Sequence, residues 1–238
     1  MNIPRFIVFC DGNNFEMTLK HLRIRIDNYG AFYQYCFEQA VKHHKRTFSL
    51  ESRPPASQLS RILWFVVGSM DEWDLTDQRS IDFIRANYNG PMSSFNFHLN
   101  EIRTWYDTKV EALKKKKSFY HGVQSSTDCL EMVTDGHWRV DFIHEPKSIS
   151  EKGVDTGLAV AMCSQLNNYD VGLVLSNDTD YLPSIKYARS MGKHIGIFQF
   201  LSDIDNQNNL SIKLMSGVDF VIPILDSDLL KSRIAYRW

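Results

Sequence analysis

Cysteine is scarce in this sequence, and its few cysteines are scattered. The four of them, Cys10, Cys36, Cys129 and Cys163, form no C-x-x-C pair and have no histidine at zinc-ligand spacing. Cys10 and Cys163 lie in apolar runs, where a free cysteine usually packs as a small hydrophobic residue. The pattern argues against a disulfide framework and a cysteine-based zinc site, and it suits a reducing cytoplasm.

Long apolar runs and an excess of one charge are also missing. The N-terminal run "FIVFC" is too short for a signal-peptide core, and no segment approaches the length of a membrane span. We therefore expect a soluble, cytoplasmic protein with no membrane partner. Lys and Arg number 27 against 28 Asp and Glu, which counts against non-specific coating of nucleic acid but permits a local basic surface.

What the sequence does contain is a series of buried-type strands separated by helical segments. With 238 residues, 43% of them hydrophobic and 23% charged, it can form one elaborated α/β domain over residues 1–238. The apolar runs of strand length are "RFIVFCD", "RILWFVVGS", "YDVGLVLSND", "KHIGIFQF" and "DFVIPIL". Such strands alternating with amphipathic helices predict a mostly parallel, doubly wound sheet.

Two further features interrupt that alternation. Residues 71–118 have a mostly helical pattern, broken at Gly90-Pro91, and are predicted to be a helical insertion, with "FYHGVQ" after it as a strand. In residues 129–143, alternating residues surround Asp135-Gly136, a dipeptide that strongly favours a β-hairpin turn. We expect this hairpin to be appended to the sheet or to project from it.

Aspartates stand where several of these elements meet. Asp11 ends the first strand, Asp178 and Asp180 follow the strand "VGLVLS", and Asp155 lies in the first turn of the preceding helix. In an open α/β sheet, ligands collect at the carboxyl ends of the strands, so these acids converge if the two strands are neighbours. Clustered carboxylates repel one another, and a hard divalent cation, Mg²⁺ or Mn²⁺, would neutralise them.

The segments "FCDGNN", "EKGVDTGLA", "LSNDTDYLPSIKYARSMGK" and "LMSGVDFVIPI" occur in this order, and together they resemble the NYN-domain family of LabA-like proteins, within the PIN-like nuclease superfamily. The resemblance covers the N-terminus and residues 151–224, whereas residues 25–145 match only in outline. It implies a PIN-like, Rossmann-like three-layer α/β/α fold and a Mg²⁺- or Mn²⁺-dependent ribonuclease acting on RNA. The matched positions are Asp11 and Asn14 of D-G-x-N, Lys152 and Asp155 of K-G-V-D, and the acid pair Asp178 and Asp180.

Two positions depart from the family pattern. Asn177 replaces the usual glycine before the acid pair, and Ala161 stands where many relatives carry a further aspartate. If that aspartate holds a second metal ion, this protein is limited to one ion or is weakened. A catalytically weakened module that binds RNA or protein is therefore the alternative function, and a metal-dependent phosphatase acting on nucleotides is a third.

Three of the predicted acids also have simpler explanations when each is taken alone. Asp180 could cap the helix that starts near Leu182, Asp11-Gly12 could be only a turn, and Asp155 could complement a helix dipole. Three separate explanations that converge on one end of a sheet are less economical than one shared metal site. The run Lys114–Lys117 favours a solvated helix end over an RNA contact.

The predicted site therefore has named parts. Asp11, Asp155, Asp178 and Asp180 are the expected catalytic residues and metal ligands. Asn14, Lys152 and Ser176 are the expected substrate-binding residues. Asn14 would orient a water or contact a phosphate, Lys152 would offset substrate charge or pair with an acid, and Ser176 would donate a hydrogen bond at the strand end. RNA is the expected partner, and residues 71–118 could cover the substrate or form the surface of a homo-oligomer.

Overall fold

A computed structural model describes residues 3–50, 57–203 and 210–238. Within them the strands are β1 (Arg5–Asp11), β2 (Ile24–Ile26), β3 (Gln58–Met70), β4 (Leu130–Asp141), β5 (Ser148–Lys152), β6 (Val171–Leu175), β7 (His194–Leu201), β8 (Phe220–Leu225) and β9 (Ala235–Arg237). The α-helices are α1 (Gly12–His21), α2 (Tyr29–Thr47), α3 (Gln78–Ala86), α4 (Phe95–Gln124), α5 (Val154–Ser164), α6 (Leu182–Ser190), α7 (Ile212–Gly217) and α8 (Asp226–Lys231). None of the described helices is long and apolar enough to cross a bilayer.

A seven-stranded sheet forms the centre of this mixed α/β fold. Its strand order is β5-β4-β3-β1-β6-β7-β8, and β2 pairs separately with β9. Every pair in the large sheet is parallel except β4 with the edge strand β5. The mostly parallel sheet predicted from the alternating pattern is therefore confirmed.

Helices cover both faces of the sheet, which explains why its central strands are apolar without interruption. In β1, Phe6, Val8 and Cys10 belong to one hydrophobic cluster, whereas Ile7 and Phe9 belong to a second. Because successive side chains of a strand point to opposite faces, these clusters lie on opposite sides of the sheet. The five residues of β6 are all buried for the same reason. Full burial of one such Val, Leu or Phe side chain stabilises the fold by about 1.5–3 kcal/mol.

The predicted hairpin at Asp135-Gly136 is wrong. Both residues lie inside β4, which pairs with β3 along most of its length and contains irregular register at this point. Gly136 is needed for close packing, since a Cβ there would collide with the Val66 carbonyl and the Val154 side chain. The antiparallel pair in this region is instead β4 with β5, joined by residues 142–147.

The helical prediction for residues 71–118 is confirmed in outline, because α3 and α4 occupy most of it and the Gly90-Pro91 break separates them. The predicted strand "FYHGVQ" is wrong, since it forms the last turns of α4. Tyr120 and Val123 continue the buried side of that helix at a spacing of three residues. That these helices are an insertion in one domain, 1–238, stays a prediction.

Candidate acidic site

The predicted acids lie where the chain reverses its direction of travel across the sheet. Strand β1 lies between β3 and β6, and the chain builds the β3 side first before it returns to β6. The carboxyl ends of β1 and β6 are therefore adjacent at a switch point, the usual ligand site of such sheets. Asp11 ends β1, and Ser176 to Asp180 follow β6.

Asp11 is buried and held by three hydrogen bonds. Its side chain is 4% exposed. Oδ1 accepts from the Asn14 backbone N–H at 3.0 Å, which caps α1, and Oδ2 accepts from Tyr181 at 3.0 Å and Ser176 at 3.3 Å. Burial raises the pKa of Asp11, and the Asp155 carboxylate adds to the rise, while these hydrogen bonds oppose it.

Tyr181 bridges Asp11 and Asp155, two acids that are far apart in the sequence. Its hydroxyl lies 3.0 Å from Asp11 Oδ2 and 2.8 Å from Asp155 Oδ1. The tyrosine is 1% exposed, and burial followed by the two carboxylates raises its pKa, so the phenol keeps its proton. A phenol has one proton to donate, whereas ionised carboxylates only accept. Asp11, Tyr181 and Asp155 therefore have one proton for two acceptor contacts, and one further proton or positive charge is needed to satisfy both carboxylates.

Asp178 and Asp180 form hydrogen bonds with residues close to them in the sequence. Asp178 Oδ1 accepts from the Asp180 backbone N–H at 2.9 Å and so caps the short 3-10 turn Thr179–Tyr181. The Asp178 N–H in turn donates to Ser176 Oγ at 3.2 Å, which links it indirectly to Asp11. Asp180 is exposed, and no side chain caps α6, so the explanation of Asp180 as the cap of that helix is not supported.

The three predicted substrate-binding residues differ in accessibility. Ser176 is 4% exposed and donates to Asp11, as a strand-end donor was expected to do. Asn14 Oδ1 accepts from the Asn177 backbone N–H at 2.9 Å and thereby ties α1 to the loop after β6. Lys152 is exposed at the end of β5, opposite His137 of β4, and faces a cleft lined also by Asp71 and Arg139.

Two acids that the sequence did not single out, and one lysine of the run Lys114–Lys117, extend the site. Glu151 has its pKa raised to about 7 by burial and then by the charges of Asp11 and Asp155, against a lowering by Lys116. Lys116 Nζ lies 2.5 Å from Glu16 Oε2. Strand alternation could have indicated Glu151, because it precedes Lys152 and must face the other side of β5. For Glu16 the sequence carried no signal beyond charge. The run Lys114–Lys117 was expected to be a solvated helix end, but it lies inside α4 and its Lys116 pairs with Glu16.

The carboxylate oxygens of the site suit a hard cation, although those of Asp11 and Asp155 contact the Tyr181 hydroxyl in this structure. Asp11, Asp155 and Glu151 offer only carboxylate oxygens, the ligands preferred by Mg²⁺ and Mn²⁺. In the part of the chain that the structure describes, no group of three or more His, Cys, Asp or Glu residues is close enough to hold a metal. The missing positive charge between Asp11 and Asp155 is the feature that fits a cation.

Comparison with known proteins identifies the family. The NYN domain model matches residues 5–225, so the chain belongs to the NYN domain family, a family of PIN-like nucleases, and this supports a nuclease-type function. None of the curated proteins matches the chain. Among solved structures, a Vibrio parahaemolyticus protein of unknown function aligns with a TM-score of 0.49 and 11% identity over 94% of each chain.

Proposed function

We propose that this protein is a divalent-metal-dependent ribonuclease with a PIN-like fold, which hydrolyses phosphodiester bonds of RNA at the Asp11–Asp155 site. Membership of a nuclease family supports the reaction class. The two carboxylates joined through the single Tyr181 hydroxyl carry the assignment of the site. The buried Asp11 and the exposed Asp155, with one phenolic proton between them, form an anionic site that a divalent cation would balance.

The roles of the individual residues follow from their positions. Asp11 and Asp155 would hold Mg²⁺ or Mn²⁺, with Asp178 and Asp180 binding it directly or through water. When bound, such an ion lowers the pKa of a coordinated water and stabilises negative charge on phosphoryl oxygens. Exposed Lys152, next to Glu151 at the end of β5, would offset substrate charge. Asn14 would fix the loop after β6 that carries Asp178.

The test is cleavage of an unstructured RNA with Mg²⁺ or Mn²⁺, followed on gels. Asp11→Asn and Asp178→Asn should each lower the rate by orders of magnitude, because a hard cation loses an anionic ligand. Asparagine also caps helices well, so Asp178→Asn should change stability by less than about 1 kcal/mol. Asp107→Asn, an exposed change on α4, is the matched control and should retain full activity.

The outcomes separate this proposal from its alternatives. Equal, chelator-insensitive cleavage by all four proteins would indicate a contaminant. Turnover of nucleotides without RNA cleavage would favour a phosphatase. The binding-module alternative is favoured by Ala161 and by the absence of a preformed three-acid group among the described residues. RNA binding without cleavage across several RNAs and both metals would select it.

A further inference from the structure

One lysine of the run Lys114–Lys117 differs from the other three in its surroundings. Lys114, Lys115 and Lys117 are exposed, whereas the side chain of Lys116 is 28% exposed. Its ammonium lies 2.5 Å from Glu16 Oε2 and 3.3 Å from the Tyr120 hydroxyl, one helical turn further along α4. The 30-residue helix α4 therefore brings one fixed cation to the acidic site from a distant part of the chain.

The carboxylates around this ammonium outnumber it. Glu16 is its direct partner, and Glu151, Asp11 and Asp155 interact electrostatically with one another in the same region. Lys116 is the cation that acts on Glu151 there. One ammonium among four carboxylates leaves a strong negative potential on the Asp11–Asp155 side and a nearly balanced charge on the Glu16 side.

Only one of the two carboxylate oxygens of Glu16 has a polar partner among the described residues. Its side chain is 18% exposed, and its Oε1 atom is buried with no hydrogen-bond partner among the described residues. A buried carboxylate oxygen without a hydrogen-bond partner destabilises the fold. The Lys116 charge is what makes this burial tolerable. Loss of that charge would leave the Glu16 carboxylate without its cationic partner.

We propose that the Lys116 ammonium stands in for a second cation on the Glu16–Glu151 side of the acidic site, so that the protein binds one divalent ion and not two. The inference rests on the proposed metal site at Asp11 and Asp155 and specifies its stoichiometry. Lys116 is then a positioning residue, which holds Glu16 through the ion pair and excludes a further ion by charge. This role gives the helix α4 a direct part in the site.

Counting bound Mn²⁺ ions tests the inference without RNA. Isothermal titration and the electron paramagnetic resonance signal of free Mn²⁺ should give one ion per wild-type chain. Lys116→Met should bind two ions, and its first ion should bind about tenfold tighter or more, because a nearby positive charge is gone. Lys116→Arg keeps the charge and should bind one ion. Lys115→Met, an exposed change on the same helix, is the matched control and should also bind one.

A double variant identifies the ligand that Lys116 occupies. Lys116→Met combined with Glu16→Gln should return the count to one, because the released carboxylate is the expected ligand of the second ion. Circular dichroism and thermal unfolding establish that each variant is folded, and Lys116→Gln provides a second neutral replacement. The Mn²⁺ count is compared only between wild type and those of Lys116→Met and Lys116→Gln that are folded.

The possible results separate this inference from the proposed function. Equal counts for wild type, Lys116→Met and Lys116→Gln would overturn the inference, as would two ions in the wild type. One ion in every variant, together with metal-dependent RNA cleavage, would leave the proposed function intact. Binding of no ion by wild type or variants would contradict both.

Discussion

The bridge through Tyr181 gives the sharpest prediction about the site, and Tyr181→Phe tests it. The change removes one oxygen from a side chain that is 1% exposed, and the ring can stay in place. It also removes the donor shared by Asp11 and Asp155, at 3.0 and 2.8 Å. The two carboxylates would then face each other without a proton between them.

The expected cost follows from the kind of hydrogen bond that is lost. A hydrogen bond to a charged group contributes about 1.5–3 kcal/mol, against about 0.5–1.5 kcal/mol for a neutral one. For a protein of this size, the loss corresponds to a fall of roughly 3–12 °C in Tm without metal. Because the phenol competes with a cation for the same oxygens, Mn²⁺ should raise the Tm of the variant more than that of the wild type.

Tyr169→Phe is the matched control. Tyr169 is 0% exposed, and its hydroxyl donates at 2.8 Å to a neutral acceptor, the Met162 carbonyl. Its loss should cost less and should not depend on metal. Thermal unfolding of the three proteins, with chelator and with Mn²⁺, measures both effects. Equal losses for the two tyrosines, or equal shifts with Mn²⁺, would refute the reasoning that Asp11, Tyr181 and Asp155 lack a positive charge.

Two further predictions concern the stability of the fold. Gly153 caps α5 with φ 91°, so Gly153→Ala should lower the free energy of unfolding by about 1–2 kcal/mol in urea titrations. The control Gly122→Ala lies in open space on α4 and should be neutral or stabilising. Equal effects of the two changes would contradict this prediction. Burial, then His194, lowers the pKa of His44 from 6.5 to about 4. The unfolded chain therefore binds more protons than the folded one, and the free energy of unfolding should fall by up to about 3 kcal/mol as pH drops from about 6.5 to 4. His44→Phe should flatten this dependence of the free energy of unfolding on pH. An unchanged dependence would be inconsistent with a buried neutral His44.

Much of the fold was determined by local sequence. The strands β1, β6, β7 and β8 are short apolar runs buried on both faces, and their period and flanking residues suffice to predict them. The same local signals place Asp11 and Asp178 at strand ends and Asp155 in a first helical turn. Local capping explains one oxygen of Asp11 and one of Asp178.

Local signals failed where distant contacts decide the conformation. Asp135-Gly136 favours a turn in isolation, but β3 pairs with this segment and keeps it extended. "FYHGVQ" has strand-like residues, but Tyr120 and Val123 pack in the core as the end of α4. In both cases, tertiary packing outweighs a propensity of about 1 kcal/mol or less per residue.

The sequence by itself determined the parallel sheet and the set of acids at its carboxyl edge, because strand burial and strand-end position are periodic, short-range properties. Only the tertiary structure decided which charges meet. The Tyr181 bridge joins residues 11, 155 and 181, and the Lys116–Glu16 pair spans 100 positions. Electrostatic interactions depend on distance in space and on burial, and neither can be obtained from spacing along the chain.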